Sequence, residues 1–505
     1  MPQGWLQRLK VQAERALARG RRPAAAGLLA VCLLAVAGWL TEGGLSAPAG
    51  AHVPTGTALA SATTTGMGTT TTGTGTTTTG TGTTTTGTGT TTTGTGSTTT
   101  GTGSTTTGTG TPPAPRGPSH WVTSWGAATQ GPSPASPMAQ SGFRNATLRQ
   151  SVFLTSGGSE VRVRFSNIFG RRPLRIGLAT AGIQSSGATV QPGTMRRLRF
   201  DGRTSVVIPP GYERLSDPVR LGVRGLHQLL ISAYLPGPTG PATLQSDSRE
   251  LSYAAHGSRA LQRQGAGFRQ KLYSWYFLSG VLTLSPPRDI GSVVAIGDSI
   301  TAGVGSAVGA NANWPDDLAR RLNRLPGATL SVVDEGIGGN RVLNDAPCCG
   351  VSAVSRFGLN VVRQTGVRTV ILLEGVNDLG FSQKRGALSA PHSNVSAAQI
   401  ISGYRQIIAQ AHAHGLRIIG CTLTPFEGAR YWNPAAERKR EAVNSWILTS
   451  GAFNGVINFA AVLGEPGDPE RLNPGYDSGD HLHPNDAGYR AMADAIQLSL
   501  LFPRR

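Results

Sequence analysis

The chain has 505 residues and a formal net charge of +19, and its length allows two to four domains at roughly 150 residues each. The positive charge is nearly all arginine and is scattered along the chain without a basic run interleaved with aromatic residues, so we do not expect nucleic acid as a partner. Four cysteines in a chain of this length exclude a disulfide scaffold, and no metal-ligand spacing occurs.

The N-terminus has the pattern of a targeting segment. Residues 1–23 are basic, with six Lys or Arg residues, and residues 24–40 form an uncharged apolar run. The length of the run lies between that of a signal-peptide core and that of a membrane span of roughly 20 residues, and the small residues at 47–51 offer a cleavage site. A cleaved signal peptide and an uncleaved membrane anchor both stay open. In either case the basic residues before the run predict that the rest of the chain is exported to the cell envelope or secreted.

Residues 41–118 contain a low-complexity tract of Thr and Gly that repeats "TTTTGTG" in steps of seven. The tract has no large apolar side chains with which to offset a backbone ordering cost of about 1 to 2 kcal/mol per residue. We therefore expect a disordered linker.

Residues 119–288 are typical of short strands separated by turns. Val161, Val163 and Phe165 alternate with polar residues in "EVRVRFSN", and no convincing amphipathic helix interrupts the region. This pattern predicts an all-β, sandwich-like accessory domain.

Residues 289–505 alternate apolar strands with helical stretches. The predicted strands are "SVVAIG", "TLSVVDEG", "VRTVILLEG", "LRIIGCTL" and "GVINFA". Helices are predicted over 314–325, 352–364, 396–415, 435–450 and 484–501, the last with Pro484 in its first turn. The alternation predicts an α/β fold with a parallel sheet covered on both faces. Ligands of such sheets bind beyond the carboxyl ends of the strands.

The residues that end these strands suit acyl transfer. Ser299 follows the first strand, and "SGDHLHPNDAG" precedes the last helix. A serine hydroxyl becomes a good nucleophile when a neutral imidazole takes its proton and a carboxylate orients the imidazole. The D-x-x-H spacing makes Asp480 and His483 the natural pair, with His481 as a competing base. The backbone amides of Ser299 and Gly339 and the side-chain amide of Asn377 can serve as oxyanion donors.

The same residues resemble those of the SGNH, or GDSL-type, serine hydrolases. The four blocks of that family are matched by "GDS" at 297–299, "GIGGN" at 336–340, "GVND" at 375–378 and "DHLH" at 480–483. The β-rich segment resembles that of a bacterial branch that includes arylesterases and xylan-associated esterases.

The resemblance implies a flavodoxin-like three-layer hydrolase domain. It makes Ser299 the nucleophile, His483 the base and Asp480 its orienting partner. It makes Gly339 and Asn377 oxyanion donors alongside the Ser299 amide. One departure is Asp334-Glu335 before the second block, where Asn-Ala is expected.

Several further residues have more than one interpretation. Trp314 is either packing at a helix start or, with Asn340, part of the substrate pocket. Glu374, beside the third block, is expected to be structural, although a carboxylate so close to the oxyanion residues merits a mutation test. Cys348 and Cys349 are adjacent and either form a vicinal disulfide or stay reduced, whereas Cys421 is expected to be a buried apolar residue.

These observations lead to the hypothesis of an exported serine esterase that requires neither a metal nor an organic cofactor. The expected substrate is a small-molecule or polysaccharide ester, with short-acyl esters, aryl esters and acetylated polysaccharides favoured over lysophospholipids. From a different class, a carbohydrate-binding module with a relic catalytic fold stays open. The oligomeric state is not predicted.

Overall fold

The computed structural model describes residues 118–502, which belong to one compact unit. The predicted basic segment 1–23, the apolar run 24–40 and the linker up to residue 117 lie outside the described residues. Within residues 118–502 no helix combines the length and the apolar character needed to cross a membrane.

The first part of the described chain is built from antiparallel strands. They are β1 His120–Gly126, β2 Ala146–Leu154, β3 Gly158–Ser166, β4 Leu174–Ile176, β5 Leu178–Ser186, β6 Thr189–Val190, β7 Arg196–Arg197, β8 Val206–Ile208, β9 Glu213–Leu215, β10 Val219–Val223, β11 His227–Leu235, β12 Leu244–Gln245, β13 Ser252–His256, β14 Gln270–Leu272, β15 Trp275–Tyr276 and β16 Leu278–Ser285. One sheet has the order β1-β16-β3-β10 and a second has the order β14-β13-β2-β11-β5-β6.

The alternation predicted for this part is borne out in its burial. Val161, Val163 and Phe165 on β3 are fully buried and share one core with Leu229 and Ile231 on β11 of the second sheet. The predicted all-β region is therefore confirmed, except for one short helix, α1 Pro137–Ser141. A single turn of helix leaves no amphipathic period in the sequence, which is why it was not predicted.

The second part alternates strands and helices. The strands are β17 Asp289–Gly297, β18 Thr329–Gly336, β19 Val367–Leu373, β20 Arg417–Cys421, β21 Gly455–Ile457, β22 Gly464–Glu465 and β23 Asp468–Leu472. The helices are α2 Trp314–Asn323, α3 Ala353–Phe357, α4 Val376–Gly380, α5 Ala397–Ala413, α6 Pro434–Thr449, α7 Phe459–Leu463 and α8 Asp486–Ala495. Strands β18-β17-β19-β20-β21 form a sheet in that order, and every pair in it is parallel.

The parallel sheet confirms the predicted α/β class. Its interior strand β17, which lies between β18 and β19, is buried along nearly its whole length, as expected for a strand covered on both faces. Gly297 at its end lies in register with Gly336 of β18 and Leu373 of β19, so the first three sequence blocks begin side by side. The three-layer, flavodoxin-like arrangement stays a prediction.

Helix ends follow local capping chemistry, with one correction to the sequence prediction. Pro484 does not lie in the first turn of α8, because the cap of that helix is Asn485, whose side chain accepts hydrogen bonds from the Ala487 and Gly488 amides. The predicted helix over 352–364 is α3 followed by a π-helical turn, Gly358–Val362.

The antiparallel region is joined to the parallel sheet through β1. This strand pairs with β16, while the Thr123 amide donates to the Thr365 carbonyl at 2.9 Å. The Ser331 hydroxyl on β18 donates to the Thr123 carbonyl at 2.7 Å. Because β1 bonds to both regions, the two share a buried polar seam, and residue 288 as a domain boundary stays a prediction.

Candidate active site

Ser299 lies in the tight turn that follows β17. A Cβ atom on Gly297 would lie 2.2 Å from Thr301 Oγ1 and 2.3 Å from the Leu373 carbonyl oxygen, so only glycine fits at the strand end. The Asp298 carboxylate accepts the Ile300 amide at 2.9 Å, which closes the turn. The turn holds Ser299 at the carboxyl edge of the sheet, where the sequence predicted it.

Ser299, His483 and Asp480 lie in one hydrogen-bonded line. Ser299 Oγ lies 2.8 Å from His483 Nε2, and His483 Nδ1 lies 2.6 Å from Asp480 Oδ2. With Nδ1–H donating to the carboxylate, Nε2 is free to accept the serine proton. Asp480 Oδ1 also accepts the backbone amides of Leu482 and His483.

The surroundings of Asp480 stabilise its negative charge. Partial burial raises its pKa, but hydrogen bonds and the charge of His483 lower it more, to about 2. The carboxylate is therefore ionised throughout the pH range in which an imidazole can act as a base.

His481, the competing base, lies elsewhere. Its Nδ1 is 2.7 Å from the carboxylate of Asp477, and its backbone has a φ of +61°. His481 therefore pairs with Asp477, and it is His483 that contacts Ser299.

The predicted oxyanion donors adjoin the same turn. Asn377 Nδ2 donates to the Asn340 carbonyl at 3.1 Å and lies 3.4 Å from Asp298 Oδ2. The Asn377 amide therefore lies between residue 340, which follows Gly339, and the side chain of Asp298, which precedes Ser299. Its Oδ1 accepts the Tyr431 hydroxyl at 3.2 Å, which fixes the orientation of the amide.

Gly339 has a backbone that requires glycine. Its φ is +74°, and an added Cβ would lie 2.5 Å from Cys349 Sγ and 3.4 Å from Phe381 Cζ. Cys348 and Cys349 form the vicinal disulfide that the sequence left open. The disulfide and the Phe381 ring therefore pack against the loop that carries Gly339.

The two residues named for the substrate pocket are buried and support the surrounding structure. Trp314 is fully buried in the core of the α/β part, and its ring packs near that of Phe459. The Asn340 side chain donates to the carbonyls of Cys349 and Val351, so it holds the disulfide loop. Trp314 stands at a helix start and Asn340 follows two glycines, and neither sequence position distinguishes a packing role from a place in the substrate pocket.

Arg356 is a residue of the site region that the sequence analysis missed. Its guanidinium is fully buried and donates to the Gly297 carbonyl, the Glu335 carbonyl and Asn340 Oδ1 at 2.7 to 2.8 Å. It also lies 3.7 Å from the Glu374 carboxylate. Arg356 thus ties together the segments that carry the first three blocks.

Buried carboxylates surround Arg356. Burial raises the pKa of Glu374 well above its usual value, with the nearby charge of Asp298 adding to the effect. The departure at Asp334-Glu335 leaves the local hydrogen bonding satisfied, because Asp334 accepts the Gly336 amide and Glu335 accepts the side-chain amides of Asn360 and Gln364.

Among the described residues one acidic group has carboxylate oxygens close enough to hold a metal ion. Glu437, Glu441 and Glu470 meet this criterion, with ligand atoms within 4.8 Å of one another. Glu437 is already paired with Arg440, and none of the three glutamates belongs to the hydrogen-bonded line of Ser299, His483 and Asp480. We assign no role to this group.

Comparison with known proteins identifies the domain that carries the site. The model of the GDSL-like Lipase/Acylhydrolase family matches residues 295–491. No curated protein matches the chain. Among solved structures, a GDSL-like lipase from Bacteroides thetaiotaomicron is 18% identical, with a TM-score of 0.32 over 41% of this chain and 87% of that one. An acetylxylan esterase from Geobacillus stearothermophilus is 21% identical, with a TM-score of 0.32 over 43% of this chain and 97% of that one. All four sequence blocks lie within residues 295–491, the range that matches the model of the GDSL-like lipase/acylhydrolase family.

Proposed function

We propose that this chain is a serine esterase that cleaves carboxylic esters through an acyl-enzyme. The observation that carries the proposal is the line from Ser299 Oγ through His483 to Asp480, with contacts of 2.8 and 2.6 Å. A serine, a tautomer-fixed imidazole and an ionised carboxylate in this order form the catalytic arrangement of acyl transfer.

In the first half-reaction Ser299 Oγ attacks the ester carbonyl carbon while His483 Nε2 takes the hydroxyl proton. The negative charge that develops on the carbonyl oxygen is met by the amides of Ser299 and Gly339 and by Asn377 Nδ2. The tetrahedral intermediate collapses when the C–O bond to the alcohol breaks and His483 gives its proton to the leaving oxygen. Each oxyanion donor is worth about 3 to 4 kcal/mol in such a site.

In the second half-reaction water replaces the alcohol. His483 takes a proton from the water, which attacks the acyl carbon, and returns a proton to Ser299 Oγ as the bond to the acyl group breaks. The products are a carboxylic acid and the regenerated serine. Asp480 keeps its charge throughout and stabilises the imidazolium in both steps.

We further propose short-acyl or aryl esters, or acetylated polysaccharides, as substrates, with lysophospholipids as the second choice. The exposed large apolar side chains of residues 118–502 support this order. None of them belongs to segments 297–306, 336–341, 375–381, 426–432 or 477–485, which surround the candidate site. A lipid substrate would be expected to meet a contiguous apolar patch there.

Export of the chain is also part of the proposal. The basic and apolar N-terminal sequence supports it, and so does the disulfide between Cys348 and Cys349, because disulfides persist mainly outside the cytosol.

The test is hydrolysis of p-nitrophenyl acetate by the full chain and by its Ser299→Ala variant. We expect the variant to lose at least about a thousandfold in kcat. Ser445→Ala, on the exposed face of α6, is the matched control and should keep the wild-type rate. Equal rates for Ser299→Ala and wild type would refute the esterase, and a rate that rises steadily from acetate to decanoate esters would favour the lipid alternative.

A further inference from the structure

Lys384 is a cation held by aromatic rings beside the candidate oxyanion residues. Its ammonium lies 4.0 Å from the centre of the Phe381 ring and 5.3 Å from the centre of the Tyr431 ring. Both distances lie in the range of a cation–π interaction, which attracts the ammonium to the ring faces. The two rings therefore fix the position of a side chain that is otherwise long and flexible.

The same two rings lie beside two of the predicted oxyanion donors. The Tyr431 hydroxyl donates to Asn377 Oδ1 at 3.2 Å, and Phe381 Cζ lies 3.4 Å from where a Cβ on Gly339 would stand. Lys384 is thus separated from each of two predicted donors by a single aromatic side chain.

The ammonium has no anionic partner within residues 118–502. This ammonium forms neither an ion pair nor a hydrogen bond there, and no carboxylate is among the charged groups that shift its pKa. The charged groups that act on it most are two further cations, Arg430 and Arg341. Partial burial, together with these two cations, lowers the pKa of Lys384 to about 8. A partly buried cation among cations is costly unless an anion joins it.

Arg341 differs from Lys384 in having its own partners. Its guanidinium donates to the carbonyls of Pro391 and Asp345, and the carboxylates of Asp378 and Asp345 lie near enough to raise its pKa. Between Arg341 and Lys384, it is therefore Lys384 whose ammonium can still bind an anion.

We propose that Lys384 forms an anion subsite that binds a carboxylate or phosphate group on the alcohol part of the ester substrate. The inference rests on the proposed esterase function. Because that function favours a short acyl group, the alcohol is the part of the substrate large enough to carry a charged group. The substrate class is then an acyl ester of an acidic alcohol, such as an acylated acidic sugar.

The test compares three acetate esters that form the same acyl-enzyme. 4-Acetoxybenzoate carries a carboxylate, 4-acetoxyphenyl phosphate carries a phosphate, and 4-acetoxybenzamide is the neutral counterpart. The ratio of kcat/KM for each anionic ester to that of the amide is measured in the full chain and in Lys384→Met. We expect at least one ratio to fall about tenfold or more, mainly through KM, because charge-assisted hydrogen bonds are the strong ones. Which ratio falls distinguishes carboxylate from phosphate recognition.

Two variants complete the comparison. Lys384→Arg keeps the charge and should keep most of the ratio, whereas Lys271→Met, an exposed lysine on β14, should change nothing. Ratios within twofold of wild type in Lys384→Met would overturn the subsite, whether the individual rates fall together or stay the same.

Absence of esterase activity is distinguished from absence of the anion subsite by a binding measurement. If the full chain hydrolyses none of the three esters, the subsite is decided by calorimetric binding of 4-acetoxybenzoate and 4-acetoxyphenyl phosphate to Ser299→Ala. The proposed function is refuted only if hydrolysis of p-nitrophenyl acetate also shows no dependence on Ser299. Weaker binding of either anion after Lys384→Met supports the subsite, and equal binding of both overturns it.

Discussion

The Tyr431 hydroxyl is expected to set which end of the Asn377 amide is available to the oxyanion. It donates to Asn377 Oδ1 at 3.2 Å, so Nδ2 is turned toward the Asn340 carbonyl and Asp298. Tyr431→Phe removes this donor and keeps the ring that packs on Gly380. Without the hydroxyl the amide loses the contact that selects its orientation, and the oxyanion loses part of one donor.

The magnitude follows from the two interactions concerned. A neutral buried hydrogen bond is worth about 0.5 to 1.5 kcal/mol net, so Tyr431→Phe should lower kcat by about 2- to 12-fold. Asn377→Ala removes the donor itself, worth about 3 to 4 kcal/mol, and should lower kcat by about 100- to 1000-fold. If Tyr431 acts only through Asn377, its removal has nothing left to disturb once the amide is gone.

The assay is a double-mutant cycle on p-nitrophenyl acetate hydrolysis. We expect Tyr431→Phe to lower kcat in the wild-type background and to have no effect in the Asn377→Ala background. Tyr273→Phe, at an exposed tyrosine, is the control for loss of a hydroxyl. The same loss from Tyr431→Phe in both backgrounds would refute this reasoning, because Tyr431 would then act independently of the amide.

Two further predictions concern the oxyanion loop and the strand before it. Gly339→Ala should abolish activity, because its Cβ would lie 2.5 Å from Cys349 Sγ at a φ of +74°, whereas Gly338→Ala, with no atom within 4 Å, should stay active in the same assay. Burial raises the pKa of Asp334 to about 7, so between about pH 4 and pH 7 the folded protein keeps a proton that the unfolded chain has lost. The free energy of unfolding should therefore fall as the pH rises through this range. Denaturant titrations at pH 5 and pH 8 should show a smaller fall in Asp334→Asn than in wild type or in Asp201→Asn at an exposed site; an equal fall in all three would contradict the assignment.

The parts of the fold that could be predicted are those with a strong local signal. Strand β18 matches its predicted segment residue for residue, because a run of apolar residues between turn signals allows few alternatives. The shared edge of the sheet also followed from the sequence, since the carboxyl ends of parallel strands meet on one side. The meeting of Ser299, Gly339 and Asn377 at that edge was therefore expected from the strand pattern, whereas the closeness of His483 to Ser299 was implied by the resemblance to the SGNH hydrolases.

The supporting residues could not be predicted, because long-range side-chain contacts leave no local pattern. Arg356 donates to a carbonyl 59 residues earlier in the chain, and Tyr431 to an amide 54 residues earlier. Neither lies within a recognisable motif. Trp314 shows another limit: the sequence left core packing and pocket lining both open, because an aromatic residue at a helix start looks the same in either case.

The position of β1 has a consequence for how the chain folds. This strand is synthesised early, yet its partners are β16 and the segment around Thr365, the latter about 240 residues later. Loop closure over such separations is slow, because the entropy of the intervening chain is lost before the contacts form. We therefore expect β1 to be among the last strands to find its place, so that the join between the antiparallel region and the parallel sheet forms late in folding.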